Sequence, residues 1–394
     1  MKENTKMIHS RLESGKEREL STPVYMNSGF GFEDADEMEK AFRGEKPHHV
    51  YGRWANPNTD EFVQKMCLLE GAESGFATAT GMAAVFASIA GLLRSGDHML
   101  VSASIFGTTQ VLVNDWLPRF GISHSYFTAA EIDRLADFVQ PNTRMIYVET
   151  PSNPGLEIFD LQLLGDFARR NQLILNVDNC FATPVLQKPL QFGAHIVTHS
   201  ATKFIDGQGR VLGGIVLGDA APMQQVIAFL KTTGATMSPM TAWILSKSLE
   251  TLELRMERHC SNALAVAEFL SHHSAVEFVN YPGLPAHSGY EINQRQMKNG
   301  GALVTFGVKG GKENAVQVLN RLKMIAIAAN LGDACTIATH PATSTHCKLS
   351  ADEMKKAGIS DNLIRLSIGL EHAADMIDDP VSYTHLRAHE TGRN

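Results

Sequence analysis

Between residues 56 and 245, short apolar runs alternate with stretches of helical periodicity, and this alternation leaves the chain few architectures. The runs Met99–Ser102, Met145–Glu149, Leu173–Asp178, His195–His199 and Val211–Leu217 read as strands, with helical patterns such as Asp160–Asn171 between them. Strands and helices spaced this way build a mostly parallel sheet covered by helices on both faces. Residues 241–272 read as one long helical region, with Leu249, Leu252 and Met256 at helical spacing. A strand at Ala302–Val308, a helix at Asn314–Leu322 and a strand at Leu363–Ile368 follow. The expected organisation is an N-terminal arm (1–55) with a short helix near Asp34–Arg43, an α/β domain (56–245) and a smaller α+β domain (246–379).

Composition narrows the class of function. A chain of 394 residues corresponds to two or three units at about 150 residues per domain. Its 44% hydrophobic and 20% charged residues exclude a disordered, collagenous or coiled-coil protein. The 35 basic and 42 acidic residues give a formal charge of −7, which argues against nucleic-acid or anionic-membrane partners. The five cysteines form no CxxC pair, so reduced thiols in a cytoplasmic protein are expected, with no metal site. Met1–Leu20 has no apolar core of a secretory signal. Gly75–Leu93 carries no charge, but Thr78, Thr80, Ser88 and its glycines dilute it; it reads as a buried turn and helix, not a membrane span.

Three segments carry chemistry. The first is His199-Ser200-Ala201-Thr202-Lys203, directly after an apolar run. Partial burial lowers a lysine's pKa and frees the amine to attack an aldehyde. Ser200 and Thr202, pointing the same way on an extended backbone, could bind a phosphate. Taken alone, a strand-end lysine reaching solvent explains the segment equally well. The second is Asp178, at a strand end where parallel sheets place ligand groups. Such a carboxylate pairs with a protonated ring nitrogen, or caps the next helical turn. The third is Thr80-Gly81-Met82-Ala83-Ala84, which opens a helix of small residues. Its first free N–H groups make an anion site, although glycine-rich openings also serve packing alone. An amine, a carboxylate and a phosphate cradle together match the aldehyde, ring nitrogen and phosphate of pyridoxal 5′-phosphate.

As a set, these motifs resemble the Cys/Met-metabolism family of pyridoxal-phosphate-dependent enzymes, which have the aspartate-aminotransferase-like fold (fold type I). The resemblance runs from about Ser21 to Asp379. It rests on Tyr51-Gly-Arg53-Trp-Ala-Asn-Pro57, Gly81-Met82, Glu149-Thr-Pro-Ser-Asn153-Pro154, Asp178-Asn179, Ser200-Ala-Thr-Lys203 and Arg365-Leu-Ser-Ile-Gly-Leu-Glu371. It implies that Lys203 holds the cofactor covalently and shuttles protons, and that Asp178 pairs with the ring nitrogen. The Gly81 and Met82 amides, Ser200 and Thr202 are implied to bind the phosphate, and Asn153 to lie beside the cofactor's 3′-oxygen. Arg365 is implied to grip the substrate α-carboxylate as a fork, with Asn330 and Tyr51 as further substrate contacts. Tyr51 and Arg53 are implied to reach the phosphate of a neighbouring subunit, making the active unit a dimer within a homotetramer.

Two positions depart from much of the family. Phe106 stands where many members stack a tyrosine on the cofactor; stacking survives, but a hydroxyl able to protonate a leaving group is lost. Thr108 stands where methionine γ-lyases commonly carry a cysteine. The loop Asp206-Gly-Gln-Gly-Arg210, with Thr232-Thr-Gly-Ala-Thr-Met-Ser-Pro239 and Thr339-His-Pro-Ala-Thr343, resembles the O-succinylhomoserine sulfhydrylase branch. The implied reaction is γ-replacement on O-succinylhomoserine by sulfide, giving homocysteine and succinate for methionine biosynthesis. O-acetylhomoserine sulfhydrylase, cystathionine γ-synthase and methionine γ-lyase activities stay open, as does a catalytically silent cofactor-binding protein. Arg43, Arg210 and Lys231 are candidates for a second carboxylate, though each reads more readily as a solvated charge.

The remaining motifs have bland readings. Gly207-Gln-Gly-Arg-Val-Leu-Gly213 is one residue too long for a dinucleotide fingerprint and precedes a strand. His195 and His199 on a strand lie about 13 Å apart, too far to share a metal. Cys180 reads as a packed thiol, and His48-His49 and His272-His273 as surface pairs. Pro380 is expected to stop the last helix, and 380–394 reads as a non-native appendage.

Overall fold

A chain whose strands are apolar along their whole length can hide them only between two layers of helix. The computed structural model, which describes residues 2–12, 16–347, 354 and 358–381, has that arrangement. Its larger sheet contains β1 (Ser74–Thr78), β2 (His98–Ser102), β3 (Ser123–Phe127), β4 (Thr143–Glu149), β5 (Ile174–Asp178), β6 (Ile196–Ser200) and β7 (Gly214–Gly218). The order is β1-β7-β6-β5-β4-β2-β3; β7 is antiparallel to both neighbours and all other pairs are parallel.

Alternate residues of the same strands face opposite layers, as a period of two requires. Leu100, Ile146, Val148, Leu175 and Val197 pack with Leu164 and Ala168 of the helix Leu161–Asn171. Met99, Val101, Met145 and Tyr147 pack with Val85 and Ile89 of the helix Gly81–Ala90 on the other side. The protein is therefore an α/β structure with a mostly parallel sheet.

The smaller sheet contains β8 (Val276–Asn280), β9 (Leu303–Val308), β10 (Ala326–Ile327), β11 (Ile337–Thr339) and β12 (Leu363–Ser367), in the order β10-β11-β12-β9-β8. Only the short β10–β11 pair is parallel. Ala263, Val266 and Leu270 of the helix Leu252–Ser271 join Leu319 and Met376 against this sheet.

Four expectations need correction. The stretch 241–272 is two helices, Pro239–Leu249 and Leu252–Ser271. The stripe of Leu249, Leu252 and Met256 stays buried across the break, so periodicity could not reveal it. Arg255 stabilises the junction by donating to the carbonyls of Ser248, Phe204 and Ile205. Gly75–Leu93 is not only turn and helix: its first residues form most of β1. The strand expected from Val211 begins at Gly214. The last helix spans Ala373–Val381 and includes Pro380; proline's fixed φ is itself helical, so in a last turn it removes one hydrogen bond without ending the helix. The rest of the expected appendage, 382–394, lies outside the described residues. Among the described residues no helix is long and apolar enough to cross a membrane.

The arm is tied down by polar contacts. Tyr25 N–H donates to Asn58 Oδ1 at 2.8 Å, and Trp243 Nε1 donates to the Thr22 carbonyl at 2.8 Å. Thr22 also hydrogen-bonds Glu61, whose other oxygen pairs with Lys65 at 2.9 Å. Lys65 is fully buried and reaches Glu250 at 3.3 Å, joining the helix Pro57–Glu70 to the end of Pro239–Leu249. Lys65→Ala leaves Glu61 as an unpaired buried carboxylate, and denaturant unfolding should show a loss of about 3–5 kcal/mol.

Candidate active site

The parallel strands bring their C-terminal ends to one edge of the larger sheet. Glu149 at the end of β4 is in register with Asp178 at the end of β5, and Asp178 with Thr198 of β6. Charge sits at these ends because strand interiors buried on both faces offer it no partner. Asp178 Oδ1 accepts the Cys180 N–H at 3.1 Å, and Oδ2 accepts the Tyr147 hydroxyl at 3.4 Å. Burial raises the Asp178 carboxyl to about 6, against the opposing pull of His199 and these hydrogen bonds. The carboxylate thus holds the following turn and also faces the site.

After Ser200 the chain leaves the strand and turns through residues 201–206. Ser200 and Thr202 are therefore not alternate residues of an extended segment, as the sequence suggested. Thr202 Oγ1 accepts the Gly213 N–H at 3.0 Å and donates to the Gly213 carbonyl at 3.3 Å. Ser200 instead packs on the start of the helix Gly81–Ala90. A Cβ at Gly81 would lie 2.6 Å from Ser200 Cβ and 2.9 Å from its Cα. Thr80 caps this helix by accepting the Ala83 N–H at 3.1 Å. The Gly81 and Met82 amides, without intrahelical acceptors, are left beside the Ser200 hydroxyl as an anion cradle.

Lys203 Nζ donates to Asn330 Oδ1 at 2.6 Å. Burial lowers its pKa, and the charge of Arg365 adds to the effect. The loop carrying Asn330 sits directly on the lysine: Gly332, at φ +79°, would place a Cβ 3.0 Å from Lys203 Cα. Arg365 comes from β12 of the smaller sheet and is 1% exposed. Its Nη1 donates to Asn153 Oδ1 at 2.9 Å, and its Nη2 to the Asn330 carbonyl at 3.0 Å and Thr339 Oγ1 at 3.2 Å. Its Nε has no partner, and among the described residues no carboxylate pairs with it. Burial alone lowers its pKa to about 10.

Phe106 is half-buried and donates its backbone N–H to Glu149 Oε2 at 2.8 Å; Thr108 is exposed. Asn153 is buried and engaged with Arg365. Tyr51 and Arg53 stand apart: among the described residues the hydrogen bonds of Lys203, Asp178 and Arg365 go to other partners. Arg53 donates to the Lys231 carbonyl and lies 5.3 Å from the Tyr51 ring. With Arg43, His48 and Lys231 it lines a separate cavity of about 770 Å³. Arg210 is taken up by Asp206, with Nε and Nη2 at 3.0 and 2.8 Å from Oδ1.

Other polar residues serve the interior. His199 Nε2 lies 3.1 Å from Glu70 Oε2, and both side chains are fully buried. His195 Nδ1 accepts the Leu175 N–H at 3.0 Å, and burial pushes the Cys180 thiol up. Among the described residues no group of three or more His, Cys, Asp or Glu could hold a metal ion. Sequence reasoning assigned no part to Tyr147, Thr339 or Glu149. Glu149 closes an apolar run as Asp178 does, a signal equal in kind.

These residues fit pyridoxal phosphate: the cradle at Gly81 admits no side chain, the lysine is partly desolvated, and a carboxylate faces them from β5. A family model for the Cys/Met metabolism PLP-dependent enzymes matches residues 4–381. The chain belongs to this family. Pyridoxal phosphate is its cofactor, and the fold is fold type I. The chain is 44% identical to an O-succinylhomoserine sulfhydrylase of Pseudomonas aeruginosa, over 92% of this chain and 90% of that one. It is 40% identical to an L-methionine gamma-lyase of Fusobacterium nucleatum subsp. nucleatum, over 91% and 92%. A solved structure from Campylobacter jejuni, assigned as an O-acetylhomoserine (thiol)-lyase, superposes with a TM-score of 0.93 at 31% identity, covering 97% of this chain and 99% of that one. It contains N′-pyridoxyl-lysine-5′-monophosphate.

Gly81→Ala forces Ser200 and the helix start apart. Cofactor titration of the stripped protein should show affinity weakened at least about tenfold, roughly 1.4 kcal/mol, with far-ultraviolet circular dichroism unchanged.

Proposed function

We propose that this enzyme replaces the γ-succinyloxy group of O-succinylhomoserine with sulfide, giving homocysteine and succinate. The observation that carries an amino-acid substrate is Arg365: a buried guanidinium with a free Nε and no carboxylate partner among the described residues. A buried unpaired cation is costly, and a substrate α-carboxylate supplies its missing partner. Bound pyridoxal phosphate supplies an electron sink that makes C–H bonds near the amino carbon acidic.

The chain's own groups do the rest. Lys203 holds the cofactor, and its Nζ takes the proton from the substrate α-carbon and returns it, its lowered pKa favouring the neutral amine. Asp178 pairs with the ring nitrogen; the Gly81 and Met82 amides and Ser200 hold the phosphate, and Thr202 joins them by turning its hydroxyl proton from the Gly213 carbonyl; Asn153 serves the 3′-oxygen side while steadying Arg365. Asn330 positions Lys203 and Arg365 together, placing it against the substrate. Phe106 stacks on the ring. Arg53 lines a separate cavity and lies over the Tyr51 ring; the two serve the phosphate of a second subunit, with Tyr51 also meeting that subunit's substrate. The assembly is a dimer within a homotetramer, in the cytoplasm.

The succinyl ester is favoured by the Pseudomonas aeruginosa relative and by the Asp206–Arg210 loop, whose ends pair in the structure. Of the candidates for a second carboxylate, Arg210 is therefore set aside; Arg43 and Lys231 line the cavity of Arg53. A second reading, elimination from methionine, has the Fusobacterium relative in its favour. Phe106 and Thr108 oppose it, since neither supplies the tyrosine hydroxyl or cysteine thiol that lyases commonly carry.

Lys203→Ala should abolish both turnover and the visible absorbance of the lysine-linked cofactor; retention of either refutes its assigned part. With sulfide as acceptor, kcat/KM for the succinyl ester should exceed that for the acetyl ester by at least about tenfold. Methionine elimination as the dominant activity overturns the assignment.

A further inference from the structure

Glu149 is buried, and nothing in the proposed reaction uses it. Its Oε2 accepts the backbone N–H of Phe106, the residue preceding the short helix Gly107–Val111, and no side chain caps that helix. Its Oε1 is buried with no hydrogen-bond partner. Across the β4–β5 pair its neighbour in register is Asp178, at the strand spacing of about 4.8 Å. One carboxyl group thus touches the backbone of the aromatic residue and adjoins the carboxylate assigned to the ring nitrogen. Two carboxylates so close in a dry setting do not both ionise readily. An ionised Glu149 would also leave an oxygen dry and unpaired.

We propose that Glu149 is a positioning residue: as a neutral carboxyl it holds the Phe106 backbone so that the ring can stack on the cofactor, and it leaves Asp178 the only anion at that sheet edge. Burial first, and then Asp178, push the Glu149 pKa well above the usual carboxylate range, while the Phe106 and Asn153 amides oppose the shift. The division of labour follows from access. Asp178 is partly exposed and each of its oxygens accepts a hydrogen bond, whereas Glu149 is buried and its Oε1 has no partner. The inference rests on the assignment of Phe106 to the cofactor ring and not on the choice of ester.

Full-length protein stripped of cofactor is titrated with pyridoxal 5′-phosphate, reading affinity and the visible circular dichroism of the bound cofactor. Glu149→Gln keeps a neutral group and an acceptor oxygen, and should match the parent in both. Glu149→Ala should weaken affinity by about tenfold and change the dichroic band, as should Phe106→Ala. The double variant should be no worse than the poorer single, because both act through one contact. If Glu149→Ala fails to fold in thermal melting, Glu149→Asp takes its place: it keeps the carboxyl but falls one methylene short of the Phe106 N–H. A Glu149→Gln protein as impaired as Glu149→Ala shows that the negative charge is required and overturns the proposal. Additive losses, or a parent-like dichroic band in Glu149→Ala or Phe106→Ala, overturn it too. Since no ester is present, failure of the substrate assignment leaves these readouts untouched.

Discussion

The site depends on one buried guanidinium. Arg365 belongs to the smaller sheet, yet its hydrogen bonds run to Asn153, in the loop after β4 of the larger sheet, and to the Asn330 loop that seats on Lys203. Burying a cation without a carboxylate is unfavourable, and three neutral acceptors offset only part of the loss of water. The geometry therefore stores an unmet demand for an anion at the junction of the two sheets. That demand also sets direction: the unpartnered Nε belongs to a planar group whose orientation is fixed by its other bonds.

The two central ionisable groups are displaced in opposite senses by the same cause. Burial lowers Lys203 and raises Asp178, moving each toward its neutral form. A site that disfavours its own charges is poised for a ligand carrying complementary ones, because the desolvation is already incurred in folding and the pairing is gained on binding. Asp178 is restrained by two hydrogen bonds and Lys203 by one, so neither needs a large reorganisation. The strand ends bring Asp178 and Ser200 together on rigid elements, and only the lysine itself sits in a turn.

Much of this was legible in the amino-acid order. The apolar run ending in Asp178, and the one followed by Ser200, were read from the sequence as strand ends, and both are strand ends in the structure, because a fully buried strand must put its polar residues at an end. The Gly81 signal was legible for the same reason: close approach of Ser200 leaves no space for a side chain. The break at Glu250–Thr251 was not, since the buried stripe runs through it unbroken. The turn after Ser200 was hidden too; in it Thr202 meets Gly213, just before β7, a pairing that no local periodicity signals. Arg210 was a candidate cation, yet Asp206, four residues before it across a glycine-rich turn, pairs with it, and Ser248 accepts from it as well. Glu149 was quoted within a motif but given no task, because its significance arises from register with Asp178, a property of strand pairing.

What separates the activities in this family must then lie outside the shared centre. Lys203, Asp178, the Gly81 cradle and Arg365 fit proton removal next to an amino group whatever leaves from the γ-carbon. The proposed difference lies at Phe106 and Thr108, which bring neither a tyrosine hydroxyl nor a cysteine thiol; Glu149 accepts the Phe106 N–H. A leaving group that departs as a stable carboxylate needs no proton from the enzyme, whereas a thiolate benefits from one. A phenylalanine at this wall is therefore compatible with an acyl ester and poorly matched to methionine. If the proposed ester is the substrate, Phe106 is its chemical counterpart, since the activation a tyrosine would supply is already present in the bond to be broken.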